Sequence, residues 1–300
     1  MAARFRRPYV IYLIIVVDAN CHRALSDRDD IVGVVPAAGW AHRLGAIPCS
    51  KEVYPLGFAE NGKSPEGPRP PKVAGQYLLE RMRQASADRI FVVIRESKWD
   101  IPAYFGDGSD LGVPMGYLMM DHPYGVSFTI NQAFPFVQGA RVITGFPHIL
   151  FRPLDAYEQL LGKQQRTGAD VVLGLFPARK PSKMDMVAHQ TDGRVDEILI
   201  KPEETSLTYT WIIATWTPSF THYLNEYING LLDAKLGPDG WNGGEVHLGH
   251  ALQAALEDGL RVTSVRFRDG RYIDIGTPTD LEKAVHTMNI DTLTSYDTHQ

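Results

Sequence analysis

A mixed, mainly parallel α/β sheet flanked by helices, with a small β-rich elaboration late in the chain, is the fold class this 300-residue sequence predicts. Three observations carry that expectation. Short apolar runs rich in β-branched residues alternate with amphipathic stretches, the signature of strands buried on both faces and joined by helical crossovers. The pair Asp192-Gly193 separates two strand-like runs, which is a hairpin signal. The composition is ordinary for a globular chain, 44% hydrophobic and 22% charged.

The elements follow in order. Ile31 to Val35 reads as the first buried strand, ended by Pro36 and a small-residue loop. Residues Pro65 to Pro71 read as a surface loop. Over Lys72 to Ala87, the residues Val73, Tyr77, Leu78, Met82 and Ala85 share one helical face. Strands are expected at Ile90–Ile94, Met115–Met120, Ala140–Thr144 and Asp170–Phe176, with helices at Val126–Phe134 and Leu154–Arg166. The later part shows strand-like runs at Met186–His189, Val195–Ile200 and Tyr209–Trp216. Helices at Pro218–Leu232 and Glu245–Asp258, a strand at Val262–Phe267 and a helix at Pro278–Met288 complete the core. Residues 1–30 are expected to be an N-terminal extension outside the core, and 289–300 a polar tail. Arg4, Arg6 and Arg7 before the apolar run Tyr9 to Val17 have the form of an export signal. An extra strand is the other alternative, but no small-x-small cleavage site follows.

Composition excludes several function classes. A formal net charge of −5 gives no basic field for nucleic acid or anionic membrane. Two cysteines do not make a disulfide scaffold. No apolar run reaches the roughly 20 residues of a membrane span. A cytoplasmic protein with neither nucleic-acid nor membrane partners is the resulting expectation.

The segment Ala37-Ala38-Gly39-Trp40-Ala41-His42-Arg43-Leu44 follows the first strand, and Pro48-Cys49-Ser50-Lys51 follows it closely. Small residues there let backbone N–H groups approach a phosphate chain, and an arginine can bind phosphate oxygens in bidentate fashion. A lysine beyond can set a compact charge on a transferring phosphoryl group. The spacings are those of neither a Walker A loop nor a dinucleotide fingerprint. A tight turn with a solvent-facing arginine is the plain structural alternative.

These residues resemble the signature of the sugar-1-phosphate nucleotidylyltransferases, Gly-Gly-x-Gly-x-Arg-Leu followed by Pro-Lys-x-Leu-x-Pro-Val, with glucose-1-phosphate thymidylyl- and uridylyltransferases as the nearest kinds. Two later segments extend the resemblance: Tyr272-Ile273-Asp274-Ile275-Gly276-Thr277-Pro278 is similar to aromatic-x-Asp-x-Gly-Thr-Pro, and Ile200-Lys201-Pro202 to Glu-Lys-Pro. The resemblance covers residues 31–288 and implies one Rossmann-like nucleotidyltransferase domain that transfers NMP from an NTP to a sugar 1-phosphate or related phosphorylated metabolite, with release of pyrophosphate. It implies Arg43 and Lys51 as catalytic residues and Ala37, Ala38 and Gly39 as the triphosphate cradle. Met120 and Gly125 fall at base-binding positions, Lys201, Glu245 and Asp185 at substrate positions, and Asp274 at a ligand of Mg²⁺ or Mn²⁺. A homo-oligomer is the partner state that relatives suggest. Thr277 also reads, from the residues alone, as the N-cap of a helix.

The departures are as informative. Met120 stands where thymidylyltransferases carry a base-reading Gln, and Ile200 where they carry the Glu of Glu-Lys-Pro. His148 falls at the second metal aspartate when Ile149-Leu150-Phe151 is aligned with the apolar run behind Gly-Asp. A neutral imidazole is a poor Mg²⁺ ligand, so weaker magnesium dependence is expected. A catalytically impaired regulator that binds nucleotide or sugar phosphate is the alternative. His247 and His250 near Glu245 lack the His-Glu-x-x-His spacing of zinc sites. Cys49 reads as a buried small residue or a reactive thiol. Tyr209, Trp211 and Trp216 read as core packing, with a sugar-facing role as the alternative.

Overall fold

The computed structural model describes residues 13–14, 30–58, 70–120, 124–237 and 240–287. Strands β1 (Ile31–Pro36), β2 (Arg89–Ile94), β3 (Met115–Met119) and β4 (Arg141–Gly145) form the parallel half of the main sheet, in the order β3-β2-β1-β4. After them come β5 (Ile149–Arg152), β6 (Val171–Pro177), β7 (Met186–His189), β8 (Val195–Leu199), β9 (Tyr209–Trp216), β10 (Val262–Arg266) and β11 (Arg271–Asp274). Strand β9 enters antiparallel between β4 and β6, and β10 runs parallel to β6. The sheet is therefore mixed and mainly parallel, as expected.

The hairpin β7–β8 turns at Asp192-Gly193, where Gly193 takes φ +97° and the Asp192 carboxylate accepts the Arg194 amide at 2.9 Å. Only Gly takes such a φ without strain. This hairpin joins the sheet through the Met186↔Thr210 pairing. Leu13–Ile14 pair antiparallel with β3 at the opposite edge. Residues 1–12, 15–29, most of the expected loop at 65–71 and the tail at 289–300 lie outside the described residues.

The helices are α1 (Ala74–Gln84), α2 (Asp100–Phe105), α3 (Val126–Asn131), α4 (Phe134–Val137), α5 (Ala156–Thr167), α6 (Pro218–Lys235), α7 (Leu248–Glu257) and α8 (Pro278–Thr287). Alternation along the strands divides the core into two faces. Val35, Val92, Tyr117 and Ile143 pack with Leu78, Leu79 and Met82 of α1 and Tyr157 and Leu160 of α5. Val34, Val93, Leu118 and Val142 pack with Phe220 and Leu224 of α6 and Leu248 and Leu252 of α7. Burial on both faces is why these strands are almost wholly apolar.

Three differences from the expected elements have local causes. Residues 71–73 are extended, not helical, and pair with Pro55–Phe58; Pro71 and the β-branched Val73 favour that ribbon. The helix expected over Val126–Phe134 splits, because Pro135 fits the first turn of a helix but not its interior. Helix α7 begins at Leu248, so Glu245, Val246 and His247 form a loop in front of it.

Candidate active site

Strand β1 ends beneath the small-residue loop. Ala37 and Ala38 are fully buried, and the Ala37 amide donates to Val93 O at 2.8 Å, which anchors the loop to β2. Gly39 is exposed with open space around it. Arg43 follows in a single 3₁₀ turn, exposed, and its guanidinium lies close to Gly276 and Asp274.

Lys51 opens a second 3₁₀ turn, held by Asp100 at the start of α2: Ser50 donates to it through its amide at 2.6 Å and its hydroxyl at 2.7 Å. Lys51 is 9% exposed. Burial lowers its pKa to about 8; Lys98 and Arg43 push the same way, while Glu52 and Asp274 oppose them. The adjacent Glu52 is buried and accepts the Lys98 ammonium on both oxygens at 2.9 Å. Cys49 is half-buried, and burial, Asp100 and Glu52 raise its pKa, contrary to a reactive thiol.

A two-stranded ribbon supplies the opposite wall. Strands β5 and β11 pair antiparallel with Asp274 opposite Ile149, and the Ile275 amide donates to His148 O at 3.0 Å. His148 Nε2 thus stands 3.8 Å from Asp274 Oδ1, which also accepts the Gly276 amide at 2.8 Å. Burial, then Lys51, Lys98 and Arg43, hold the His148 pKa far below its ordinary value. The contact is that of a neutral imidazole with a carboxylate. His148 Nδ1 is buried without a hydrogen-bond partner. Thr277 caps α8 as expected, its hydroxyl oxygen accepting the Asp280 amide at 3.2 Å.

Across Phe146 lies a second group. The Phe146 ring is 6.0 Å from His148 on one side and 5.7 Å from Trp211 on the other. Lys201, at φ +44°, places Nζ 3.1 Å from His247 Nε2, and His247 Nδ1 is 3.7 Å from Glu245. The His247 side chain also accepts the His250 amide, and His250 Nδ1 accepts the His247 amide at 3.1 Å, a reciprocal cap at the start of α7. Burial first and Lys201 second keep the His247 pKa low. Asp185, whose carbonyl accepts the Thr210 hydroxyl at 2.8 Å, completes the group; burial lifts its carboxyl to about 6 against the pull of Lys201.

Gly125 ties this loop to the start of α3. It takes φ +129°, and a Cβ there would lie 2.3 Å from Val246 O. Gly125→Ala is expected to cost about 1–3 kcal/mol, read from the urea midpoint, because strain and a backbone collision coincide. Met120 is buried among the apolar side chains of the core, with its amide on Ile94 O at 2.9 Å.

Residues 72–289 match the family described as Nucleotidyl transferase. The chain belongs to that family. The small-residue loop and Lys51 precede the matched stretch. The low-salt glycan biosynthesis nucleotidyltransferase Agl11 of Haloferax volcanii is 22% identical over 211 residues, which are 70% of this chain; the chain spans only 55% of that protein's length. Two solved structures share the fold. One, described as a glucose-1-phosphate thymidylyltransferase from Bacillus anthracis in complex with sucrose, has a TM-score of 0.69 at 18% identity, covering 90% of this chain and 98% of its own. The other, a UDP-glucose pyrophosphorylase complexed with UDP-glucose, has a TM-score of 0.68 at 16% identity, covering 86% and 98%. The sheet of this chain is the mixed, mainly parallel one that the sequence predicts.

Among the described residues, no group of three or more His, Cys, Asp or Glu side chains is placed to hold a metal ion. Among those residues the site offers the pair Asp274 and His148, one hard oxygen donor and one imidazole nitrogen. That pair fits Mn²⁺ better than Mg²⁺, which takes oxygen ligands in near-octahedral array. Glu52, Lys98, Asp100 and Phe146 join the site without any motif to mark them. Glu52 at least sits beside Lys51 in the chain; Lys98 meets it only through the tertiary fold. No helix among the described residues is long and apolar enough to cross a membrane.

Proposed function

We propose that this protein transfers NMP from a nucleoside triphosphate to a sugar 1-phosphate or a related phosphorylated metabolite. The observation that carries this reading is the convergence of buried Lys51 with Arg43, Asp274 and the Ala37-Ala38-Gly39 loop at the ends of β1 and β11. A phosphate oxygen of the acceptor attacks the α-phosphorus, the bond from that phosphorus to the β-phosphate bridging oxygen breaks, and pyrophosphate leaves. Such a step needs positioning and charge neutralisation more than covalent help.

The loop amides cradle the triphosphate and Arg43 binds its outer oxygens. Lys51 stabilises charge on the α-phosphate. Lys201 holds the acceptor phosphate, and Glu245 and Asp185 hold acceptor hydroxyls. Met120 and Gly125 flank the base; Met120 is thioether-tipped and buried, so it contributes shape and not a base-specific hydrogen bond. Asp274, with His148 beside it, would hold a divalent ion, whose chemistry is neutralisation of phosphate charge.

His148→Asp is expected to shift metal preference from Mn²⁺ towards Mg²⁺ and to tighten Mg²⁺ about tenfold or more, since site charge sets such affinities. Calorimetric titration with each ion in the presence of nucleotide checks it; unchanged affinity ratios contradict the paired roles of His148 and Asp274. His148 also favours a second reading, a binding protein with little turnover. Pyrophosphate release measured across four NTPs and several sugar 1-phosphates, with Mg²⁺ and with Mn²⁺, separates the two. Release that depends on acceptor supports the enzyme; nucleotide binding without any release supports the regulator.

A further inference from the structure

Two buried polar atoms on the acceptor side have no hydrogen-bond partner, Asp185 Oδ1 and Trp211 Nε1. They belong to neighbouring groups: the Trp211 indole is close enough to favour the charged form of Asp185 although the two do not close a hydrogen bond of normal geometry. Such atoms are rare in folded proteins, and each one buried without a partner is destabilising. The nearby Trp216 shows the ordinary arrangement, its indole N–H donating to the Thr221 hydroxyl at 3.0 Å. Both indoles pack in the same core, Trp216 with its donor paired and Trp211 with its donor unused.

The other carboxylate oxygen packs against the first turn of α7: a Cβ added at Gly249 would lie 2.5 Å from Asp185 Oδ2, and the Gly249 amide favours the charged form. The start of α7 thus crowds the carboxylate on that side, and the Thr210 hydroxyl ties down its backbone. Oδ1 is left as a held acceptor beside a held donor. Ile200, whose side chain approaches the same Gly249 position, supplies no polar group.

We infer that Asp185 and Trp211 together read one hydroxyl of the acceptor, which donates to Asp185 Oδ1 while its own oxygen accepts from Trp211 Nε1. This rests on the reading of the Lys201 side as the acceptor subsite. A hydroxyl satisfies both atoms at once. A deoxy or fluoro substituent leaves the acceptor oxygen unpaired, and an ammonium leaves the indole unpaired. A water can bridge the same two atoms before the acceptor arrives. The pair is thus a specificity determinant for a polyhydroxylated acceptor, set by a carboxylate on β7's leading edge and an indole on β9.

The test uses the full chain and binding rather than turnover. The tightest binder among glucose, galactose and mannose 1-phosphates is compared calorimetrically with its 2-, 3-, 4- and 6-deoxy forms. Wild type is expected to bind one of the deoxy sugars about a hundredfold more weakly, because two buried groups lose their partner. In Asp185→Asn the inward group becomes a donor, and in Trp211→Phe the donor is gone; in both, that penalty is expected to shrink to about threefold or less. A penalty spread evenly over all four positions overturns the inference, as does one that survives in both variants. Variants that lose thermal stability while keeping the wild-type penalty mark a purely structural pair and also overturn it. Selective binding without pyrophosphate release supports the inference and removes the transferase reading; release without selectivity does the reverse. Failure to bind any of the three sugar phosphates overturns the inference whatever the enzyme does with nucleotide.

Discussion

Lys51→Met is expected to lower kcat for nucleotidyl transfer about 10²–10³-fold, the scale on which a single preorganised electrostatic contact acts in a water-poor site. The methionine fills a similar volume and buries no charge, so melting temperature at neutral pH is expected to hold or rise. Lys51 also sets a pH limb. Its ammonium acts only when protonated, and its pKa is about 8 in the folded protein. Hence kcat/KM should fall as pH rises through about 8, and Lys51→Arg should remove that limb, since a guanidinium stays charged. The same depression links to folding with a definite sign. The folded pKa lies below the ordinary 10.5 of a lysine, so this residue's contribution to stability is fully present above that value and is lost as pH falls through about 8. Measuring kcat/KM and the urea midpoint over the same pH range checks both halves.

Glu52→Ala is expected to be the most damaging single change to stability near the site, at about 3–5 kcal/mol. The Glu52 and Lys98 side chains are 3% and 5% exposed, and removal of the carboxylate strands a buried ammonium. Because whole domains are stable by only about 5–15 kcal/mol, such a loss takes a large share of the total. The double change Glu52→Met with Lys98→Met should recover most of it, since two apolar groups leave no charge unpaired. Urea denaturation of wild type and the two variants decides. If the single and double variants are equally destabilised, the pair's role lies in packing and not in charge.

Local pattern makes most of this architecture legible. The run Ile31 to Val35 is β-branched and stops at a proline, so it reads as a buried strand, and Asp192-Gly193 carries its own turn geometry. Thr277 announces a helix start through residues next to it. The order of the motifs along the chain likewise groups Arg43, Lys51 and Asp274 into one site. What escapes the sequence is contact between distant residues with no shared period. Lys98 reaches Glu52 across 46 positions, and Ser50 reaches Asp100 across 50. Ile149-Leu150-Phe151 enters the sequence reading only as the apolar run behind the metal-aspartate position, and its pairing with β11 as a separate ribbon has no local signal. Trp211 and Trp216 look alike in sequence; only the Thr221 hydroxyl beside one of them tells them apart.

In the proposed reaction Lys51 acts on an α-phosphate moving to a phosphorylated acceptor. Incubation with α-³²P-labelled NTPs and a panel of sugar 1-phosphates, followed by separation of products, measures it directly. Wild type is expected to place label in a nucleoside-diphosphate sugar, and Lys51→Met to lose that label while still binding nucleotide. Label transfer that persists undiminished in Lys51→Met would contradict it.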